Sequence, residues 1–338
     1  MRAIVFTEYG SPDVLRLAEI ERPVPADGEV LVRVHAASLN DWDHGALQGA
    51  DFVNRLLFGV LKPKKGRQVL GSDVAGRIEA VGRGVRRFRP GDDVFGDLSG
   101  RWGGFAEFVC APEEALALKA PGMTFEQAAA IPQAALLAVQ ALRDLGGIES
   151  GQRILVNGAG GGVGTFALQI AALYDAEVTA VDAPEKLDML RSMGARHVLD
   201  YTREDFTRAG ERYDLILDVK TTRSVLDCVR ALNAGGTYVT VGGSMARLFQ
   251  GLLLWPWIAL TTRKKIRLLA LKPNKDLVFV RELFEAGKVV PVIDGHYGLA
   301  DVPEAFRYFG SGRHKGKIVI TVEQSDSASV AALLPSRH

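Results

Sequence analysis

The chain has 338 residues, of which 47% are apolar and 24% charged, and its formal net charge is +1. This length predicts about two domains with enough apolar material for a large core. A charge so close to neutral argues against a nucleic-acid partner, which would require a basic excess. The two cysteines, Cys110 and Cys228, lie far apart and predict neither a disulfide framework nor a metal cluster.

The first part of the chain, residues 1–121, is rich in β-branched residues and turns. It opens on MRAIVFTEYG, which predicts a strand and lacks the apolar core of a signal peptide, so we expect a cytoplasmic protein. Strands are also predicted in EVLVRVHAASLN, VLGSDVAGRIEAVG and FAEFVCAP, each bounded by Gly, Pro or Asp. These signals predict a mainly antiparallel β domain.

The pattern changes at Thr124, which can cap a helix together with Gln127 in a capping box. Pro132 interrupts the helical spacing that follows. Helical segments then alternate with predicted strands at 153–157, 177–182, 214–219, 237–243 and 266–271. Such alternation is typical of a doubly wound parallel sheet.

The last part of the chain has a helix, a strand, a second helix and a final strand at 315–322, which we place back on the first domain. The predicted division is therefore 1–121 with 272–323 as one domain and 122–271 as the other. Residues 324–338 are predicted to form a mobile tail.

An apolar stretch, Leu248–Leu260, precedes the basic sequence TTRKKIR. It is shorter than the roughly 20 residues that span a bilayer, and Pro256 interrupts it. We interpret it as the wall of a pocket or a subunit contact, with peripheral membrane contact as the alternative.

The run GAGGGVG, residues 158–164, lies between a predicted strand and a predicted helix. In that context glycines allow a tight turn and close packing, and the helix start offers free N–H groups to a pyrophosphate. The run therefore predicts dinucleotide binding by Gly160, Gly161, Gly162, Val163 and Gly164.

The preferred dinucleotide is left open by three side chains. Asp182, which ends the second predicted strand, can accept hydrogen bonds from the ribose hydroxyls and favours NADH. Lys186 and Tyr201 could reach a ribose 2′-phosphate and favour NADPH.

Ordered blocks along nearly the whole chain carry a family resemblance, among them SPDVLRL, VLGSDVAGRIEAVG, RFRPGDDVFGD, AAAIPQAALLAVQAL, GAGGGVG and GKIVIT. The sequence resembles the medium-chain dehydrogenase/reductases, in their zinc-free quinone oxidoreductase branch. The resemblance implies an α/β fold in which a GroES-like, mainly β catalytic domain joins a Rossmann domain with a doubly wound parallel sheet. It also implies a homodimer that acts on a small-molecule substrate.

The zinc-dependent members of this family bind metal at positions that match Asn40, Ser72 with Asp73, and the neighbourhood of Gln133. These side chains do not form the Cys and His set of a tetrahedral zinc site, so we predict no metal. Without a Lewis acid, a conjugated acceptor is easier to reduce than an isolated carbonyl. The resemblance thus implies hydride transfer from NAD(P)H to a quinone or to the β-carbon of an α,β-unsaturated carbonyl.

The resemblance also implies roles for individual residues. Asn40, Ser72 and Gln133 are the candidate catalytic residues, and Asn40 is expected beside the nicotinamide. The remaining expected cofactor contacts are Tyr201 near the adenosine ribose, Thr222 near the adenine, Val241, Gly242 and Gly243 along the nicotinamide, and Lys317 close to the cofactor.

Two features of the sequence leave other functions open. Lys220 and Thr221 replace a Val-Gly pair of the family, and Thr221 could crowd the cofactor. Trp255 and Trp257 suggest a specialised biosynthetic enoyl-type reductase acting on one bulky substrate. The alternative from another class is a low-turnover cofactor sensor or a membrane-associated adaptor.

Overall fold

The structure is a computed structural model that describes residues 1–49, 52–242, 258, 260 and 262–322. The tail 324–338, Trp255 and Trp257, Gly243 and most of the apolar stretch Leu248–Leu260 lie outside these residues. Two large sheets organise the described part of the chain, beside a small antiparallel pair formed by β1 (Arg2–Val5) and β2 (Arg16–Glu19).

The first large sheet has seven strands, and all but one of its pairings are antiparallel. Its members are β3 (Glu29–Ser38), β4 (Asp73–Val81), β5 (Asp93–Asp97), β6 (Phe108–Pro112), β7 (Ala117–Leu118), β14 (Ile293–Gly298) and β15 (Lys317–Thr321). The order is β14-β15-β3-β4-β5-β7, with β6 also paired to β3. The two C-terminal strands thus extend a sheet begun by the N-terminal part.

The second large sheet has six strands, and every pairing is parallel. Its strands are β8 (Arg153–Asn157), β9 (Glu177–Asp182), β10 (His197–Asp200), β11 (Tyr213–Asp218), β12 (Leu232–Val241) and β13 (Lys265–Leu269), in the order β10-β9-β8-β11-β12-β13. Along the chain, strands are added outward from β8, first on one side as β9 and β10 and then on the other side as β11, β12 and β13. The crevice between the ends of β8 and β11 is therefore the switch point at which doubly wound sheets bind ligands. The predicted α/β fold class is confirmed, although the division at residues 122 and 271 stays a prediction.

The described helices are α1 (Asp41–Gln48), α2 (Phe52–Phe58), α3 (Phe125–Ala130), α4 (Pro132–Val139), α5 (Gly162–Ala172), α6 (Leu187–Ser192), α7 (Val225–Arg230), α8 (Leu277–Glu285) and α9 (Val302–Gly310). The predicted capping box begins α3: Thr124 Oγ1 accepts a bond from the Gln127 N–H at 3.1 Å, and Gln127 Oε1 accepts one from the Thr124 N–H at 3.0 Å. In the described part of the chain no helix is long and apolar enough to cross a membrane.

The alanine-rich helices α3 and α4 join the two large sheets. Buried alanines at 128–130, 134 and 135 share one apolar cluster with Phe95 of β5 and with Ile154 and Val156 of β8. Because alanine is small, α3 packs closely against β3 and β4, and α4 packs against α5. Within the described residues, Cys110 and Cys228 form no disulfide.

Candidate active site

A cavity of about 580 Å³ occupies the cleft between the two sheets. It brings together eight of the residues predicted from the sequence: Asn40, Gln133, Gly161, Gly162, Val163, Val241, Gly242 and Lys317. It does not include Ser72, Gly160, Gly164, Asp182, Lys186, Tyr201 or Thr222 among its lining residues. The predicted set therefore separates into residues that line the cavity and residues that do not.

The glycine run turns from β8 into α5 as expected. A Cβ on Gly164 would lie 2.4 Å from the backbone of Gly158 and Ala159, so only glycine lets this helix approach the turn. A Cβ on Gly161 would meet nothing nearer than the Gly158 oxygen, at 3.7 Å, and Gly161 lines the cavity. The first N–H groups of α5 have no partner within the helix and carry its positive dipole end. This open cradle fits a pyrophosphate.

Two lysines and a histidine lie beside the same cradle. Lys220, Lys317 and His314 all line the cavity, and the two lysines bring positive charge to it. The N–H of Gly316 donates to the Gly160 oxygen at 2.8 Å, which holds the segment 312–317 along the glycine run. His314 stacks on Phe309, and burial together with the nearby lysines lowers its pKa to about 4. Sequence reasoning did not single out His314, because it belongs to no metal-like cluster.

The side chains expected at the adenosine end are largely occupied within the protein. Asp182 Oδ2 accepts the Gly160 N–H at 2.7 Å, and Oδ1 accepts the Ala183 N–H at 2.9 Å. The Lys186 ammonium lies 3.5 Å from Asp182 Oδ1 and donates to the Gly312 oxygen at 2.8 Å. Lys186 is buried, whereas Tyr201 is 51% exposed. The carboxylate is thus both hydrogen-bonded and paired with a cation.

Thr221 adopts the left-handed conformation, with φ of 49°, at the position where the family has glycine. Asp218 Oδ1 accepts its N–H at 2.8 Å and stabilises this turn. Lys220 lines the cavity, whereas Thr221 does not. Lys220 is therefore part of the cavity wall, and the Thr221 side chain is not. That the Thr221 Cβ crowds a bound cofactor stays a prediction.

A buried polar network lies beneath the cavity, with the Asn40 amide at its centre. Asn40 Nδ2 donates to Ser72 Oγ at 3.1 Å and to Asp73 Oδ2 at 3.0 Å. Asn40 Oδ1 accepts a bond of 2.5 Å from the Lys317 ammonium. An amide has two N–H donors, so both are used inside the protein. Asn40 therefore shapes the cavity wall, while Ser72 lies behind it and contacts Asn40 rather than the cavity.

Two aspartates and one lysine set the charge of this network. The Lys317 ammonium also donates to the Leu39 oxygen at 2.9 Å and lies 3.4 Å from Asp73 Oδ2. Asp43 accepts the N–H groups of Asn40 and Gly71. Burial raises the pKa of Asp43 to about 7. Burial also raises the pKa of Asp73, whereas the nearby Lys317 ammonium acts to lower it.

Gln133 and Ser99 supply polar groups at the cavity itself. Gln133 is the second residue of α4, and its N–H donates to Asp73 Oδ1 at 3.1 Å. Its side-chain Nε2 donates to Ser99 Oγ at 3.2 Å, which leaves the amide a second N–H. Around them, apolar lining residues on both domains include Leu57, Leu137, Leu271 and Pro273 together with Trp42 and Trp102. Trp42 and Trp102 were not predicted, since the sequence analysis assigned the substrate wall or a subunit contact to the segment around Trp255 and Trp257.

The residues at the family's zinc-ligand positions do not fit a metal. Asn40 and Ser72 bond each other, and Asp73 faces the Lys317 ammonium. Across the described ranges, no group of three or more His, Cys, Asp or Glu side chains is arranged to hold an ion. These side chains therefore give no support to a zinc-dependent step.

Fold and site together define a two-domain protein with a dinucleotide cradle at the switch point of a parallel sheet. The chain matches the alcohol dehydrogenase GroES-like domain over residues 26–122 and the zinc-binding dehydrogenase domain over residues 193–320. A tomato (Solanum lycopersicum) 2-methylene-furan-3-one reductase is 32% identical, over 95% of this chain and 79% of its own. An Arabidopsis thaliana chloroplastic NADPH-dependent alkenal/one oxidoreductase is 31% identical, over 95% of this chain and 79% of its own.

The solved structure of the quinone oxidoreductase from Coxiella burnetii superposes with a TM-score of 0.85, at 28% identity, over 96% of this chain and 99% of that one. The chain therefore belongs to the medium-chain dehydrogenase/reductase superfamily, in the branch of the quinone oxidoreductases and enone reductases.

Proposed function

We propose that the protein is an NAD(P)H-dependent reductase that transfers hydride, without a metal, to a quinone or to the β-carbon of an α,β-unsaturated carbonyl. The observation that carries the proposal is the juxtaposition of an open glycine cradle with a mainly apolar cavity that has few polar groups. When bound, the reduced nicotinamide supplies the hydride. Gly161, Gly162, Lys220 and Lys317 would hold the dinucleotide, and Val241 and Gly242 would border its nicotinamide end.

The polar groups of the cavity suit a conjugated acceptor. Hydride addition to such an acceptor spreads negative charge into an enolate or a hydroquinone anion, which modest hydrogen-bond donors can stabilise. The second N–H of the Gln133 amide is such a donor. The apolar wall formed by Trp42, Trp102 and Leu271 excludes water and accommodates a hydrophobic acceptor.

We propose NADPH as the preferred cofactor. Asp182 already accepts two backbone N–H groups and faces the Lys186 ammonium, so it offers the ribose diol few free acceptor sites. The same ion pair cancels the repulsion that an aspartate would exert on a 2′-phosphate. The Lys186 ammonium has a third N–H beyond those that face the Gly312 oxygen and Asp182, and this donor and the Tyr201 hydroxyl would recognise that phosphate.

Turnover and cofactor choice are tested together by the loss of reduced-nicotinamide absorbance, with NADPH or NADH and a panel of enones, enals and quinones. We expect kcat/KM to be at least about tenfold higher with NADPH, which corresponds to about 1.4 kcal/mol. The double variant Lys186→Met/Asp182→Asn removes both buried charges at once, so neither is left unpaired. It should lose most of this preference while retaining turnover with NADH.

Saturated ketones serve as the control acceptors and should not be reduced. A wild-type preference for NADH that disappears in the double variant would instead make Asp182 the ribose ligand. Tight cofactor binding without turnover of any acceptor would favour the low-turnover sensor, and turnover of only one bulky enoyl substrate would favour the specialised biosynthetic reductase.

A further inference from the structure

Asp97 is a buried carboxyl group near the cavity that the proposed hydride transfer does not use. It ends β5 and is 1% exposed. Its Oδ1 accepts the Ser99 N–H at 2.7 Å and the Ser99 hydroxyl at 2.5 Å, whereas its buried Oδ2 has no hydrogen-bond partner among the described residues. A buried ionised oxygen without a partner is costly, and the carbonyl oxygen of a neutral carboxyl costs much less. The geometry therefore favours the protonated acid.

Asp97 lies in a cluster that holds more carboxyl groups than cations. Asp97 lies directly opposite Asp73 in the antiparallel pairing of β4 and β5. The carboxyl groups of Asp73 and Asp43 also interact electrostatically. Lys317 is the cation that acts on both Asp73 and Asp97. Three carboxylates around one ammonium would bury net negative charge, so the cluster retains a proton near neutral pH. Burial and the Asp73 carboxylate raise the pKa of Asp97 to about 7.

Ser99 connects this acid to the cavity. It lines the cavity two residues beyond Asp97, and its Oγ accepts a bond from Gln133 Nε2. The Asn274 side chain fixes the position of Asp97 by bonding both its N–H and its carbonyl oxygen at 2.8 Å. A protonated Asp97 can donate to Ser99 Oγ, which frees the Ser99 hydroxyl to turn toward a bound substrate.

We propose that Asp97 rests in its protonated form and, through the Ser99 hydroxyl, supplies the proton that completes reduction of an α,β-unsaturated carbonyl. This inference rests on the proposed function. The incoming hydride forms a C–H bond at the β-carbon, and the alkene π electrons move toward the carbonyl to give an enolate. The Ser99 hydroxyl proton then forms the C–H bond at the α-carbon, and the Asp97 proton moves to the Ser99 oxygen.

The step is balanced over one turnover. The alkene gains two electrons with the hydride, and the nicotinamide is oxidised by the same two electrons. Asp97 is left as a carboxylate, and water returns its proton before the next cycle. Asp97 is thus a positioning and proton-supplying residue that acts through Ser99, which contacts the substrate.

The test uses an α-methyl cyclic enone, whose reduced product has a stereocentre at the α-carbon. The wild-type enzyme should form one enantiomer in excess, and its kcat should fall roughly tenfold per pH unit above about pH 7 as Asp97 ionises. Asp97→Asn still accepts from Ser99 but has no acidic proton. It should lower kcat by roughly 100-fold, give a nearly racemic product and remove this pH dependence. Ser99→Ala should have the same effect on the enantiomeric excess.

Two controls separate the proton relay from a structural role. Quinone reduction places its protons on oxygen atoms that exchange freely with water, so both variants should lower enone turnover at least about tenfold more than quinone turnover. Asp93 lies on the same strand as Asp97 and pairs with Arg77 at the surface. The control variant Asp93→Asn should therefore change neither the rate of enone reduction nor the stereochemistry of the product.

Equal losses of enone and quinone turnover, an unchanged enantiomeric excess in Asp97→Asn, or a racemic product from the wild-type enzyme would overturn the relay. Absence of wild-type turnover with every acceptor would instead overturn the proposed function and the relay with it.

Discussion

Gly161→Ala is expected to weaken NADPH binding roughly 10- to 100-fold while leaving the fold intact. Gly161 has φ of −88° and ψ of −178°, an extended conformation that alanine adopts freely. The added Cβ would make only an ordinary contact of 3.7 Å within the protein but would project into the cradle. A methyl group forced against a well-packed ligand costs about 1–3 kcal/mol, which corresponds to that loss of affinity.

The measurement is a fluorescence titration with NADPH together with urea-induced unfolding. The unfolding free energy of Gly161→Ala should be unchanged or higher by up to ~1 kcal/mol, because alanine restricts the unfolded chain. Gly164→Ala is the matched contrast: its Cβ would lie 2.4 Å from backbone atoms, so it should lose more than ~2 kcal/mol of stability. Unchanged NADPH affinity in a folded Gly161→Ala would show that the glycine run is an ordinary turn.

Lys317→Met is expected to lower the free energy of unfolding by about 3–5 kcal/mol, because it leaves the buried Asp73 carboxyl without its cation. Lys317 is 3% exposed, and its stem lies beside Gly162, where a Cβ would meet Lys317 Cδ at 2.8 Å. Loss of the ammonium also frees Asn40 Oδ1 from its bond. The variant should therefore lose cofactor affinity as well as stability.

The stability loss in Lys317→Met should depend on pH. Burial already raises the pKa of Asp73, and removal of Lys317 removes a cause that lowers it. An acid whose pKa is raised in the folded state stabilises the fold below its unfolded pKa and destabilises it progressively as the pH rises. The difference between variant and wild type should thus be larger at pH 8 than at pH 5.

Urea unfolding at these two pH values tests the ion pair directly. The double variant Lys317→Met/Asp73→Asn removes both charges and should recover about 1–3 kcal/mol relative to the sum of the single changes. Lys315→Ala, on the same segment, is the control and should change stability by less than ~0.5 kcal/mol. A Lys317→Met loss that is small and independent of pH would contradict the buried pair.

Local signals in the sequence predicted most of the fold. The capping box at Thr124 and Gln127, the break at Pro132 and the strand–glycine–helix unit depend on neighbouring residues, and the structure confirms each. Long-range packing determines what local pattern could not predict. Lys186 follows a short turn, and its ammonium bonds the Gly312 oxygen, 126 residues away in sequence. No local pattern indicates that partner.

The candidate site shows the same limit. Asn40 lines the cavity, but its amide orientation depends on Asp73 of β4 and Lys317 of β15, which no local pattern brings to it. Asp97 ends the turn sequence RFRPGDDVFGD and Ser99 lies two residues beyond it, and local reasoning gave neither a chemical role. Only the register of β4 and β5 places Asp97 opposite Asp73.

The most direct test of the central claim is the fate of deuterium from NADPH deuterated at the nicotinamide C4, followed by mass spectrometry and NMR of the reduced enone. Hydride transfer to a conjugated acceptor predicts deuterium at the β-carbon, with a saturated ketone as product. The rate should be unaffected by a metal chelator, because the donor set at Asn40, Ser72 and Gln133 does not fit zinc. Deuterium at the carbonyl carbon of an alcohol product, with turnover that stops on addition of the chelator, would contradict the account.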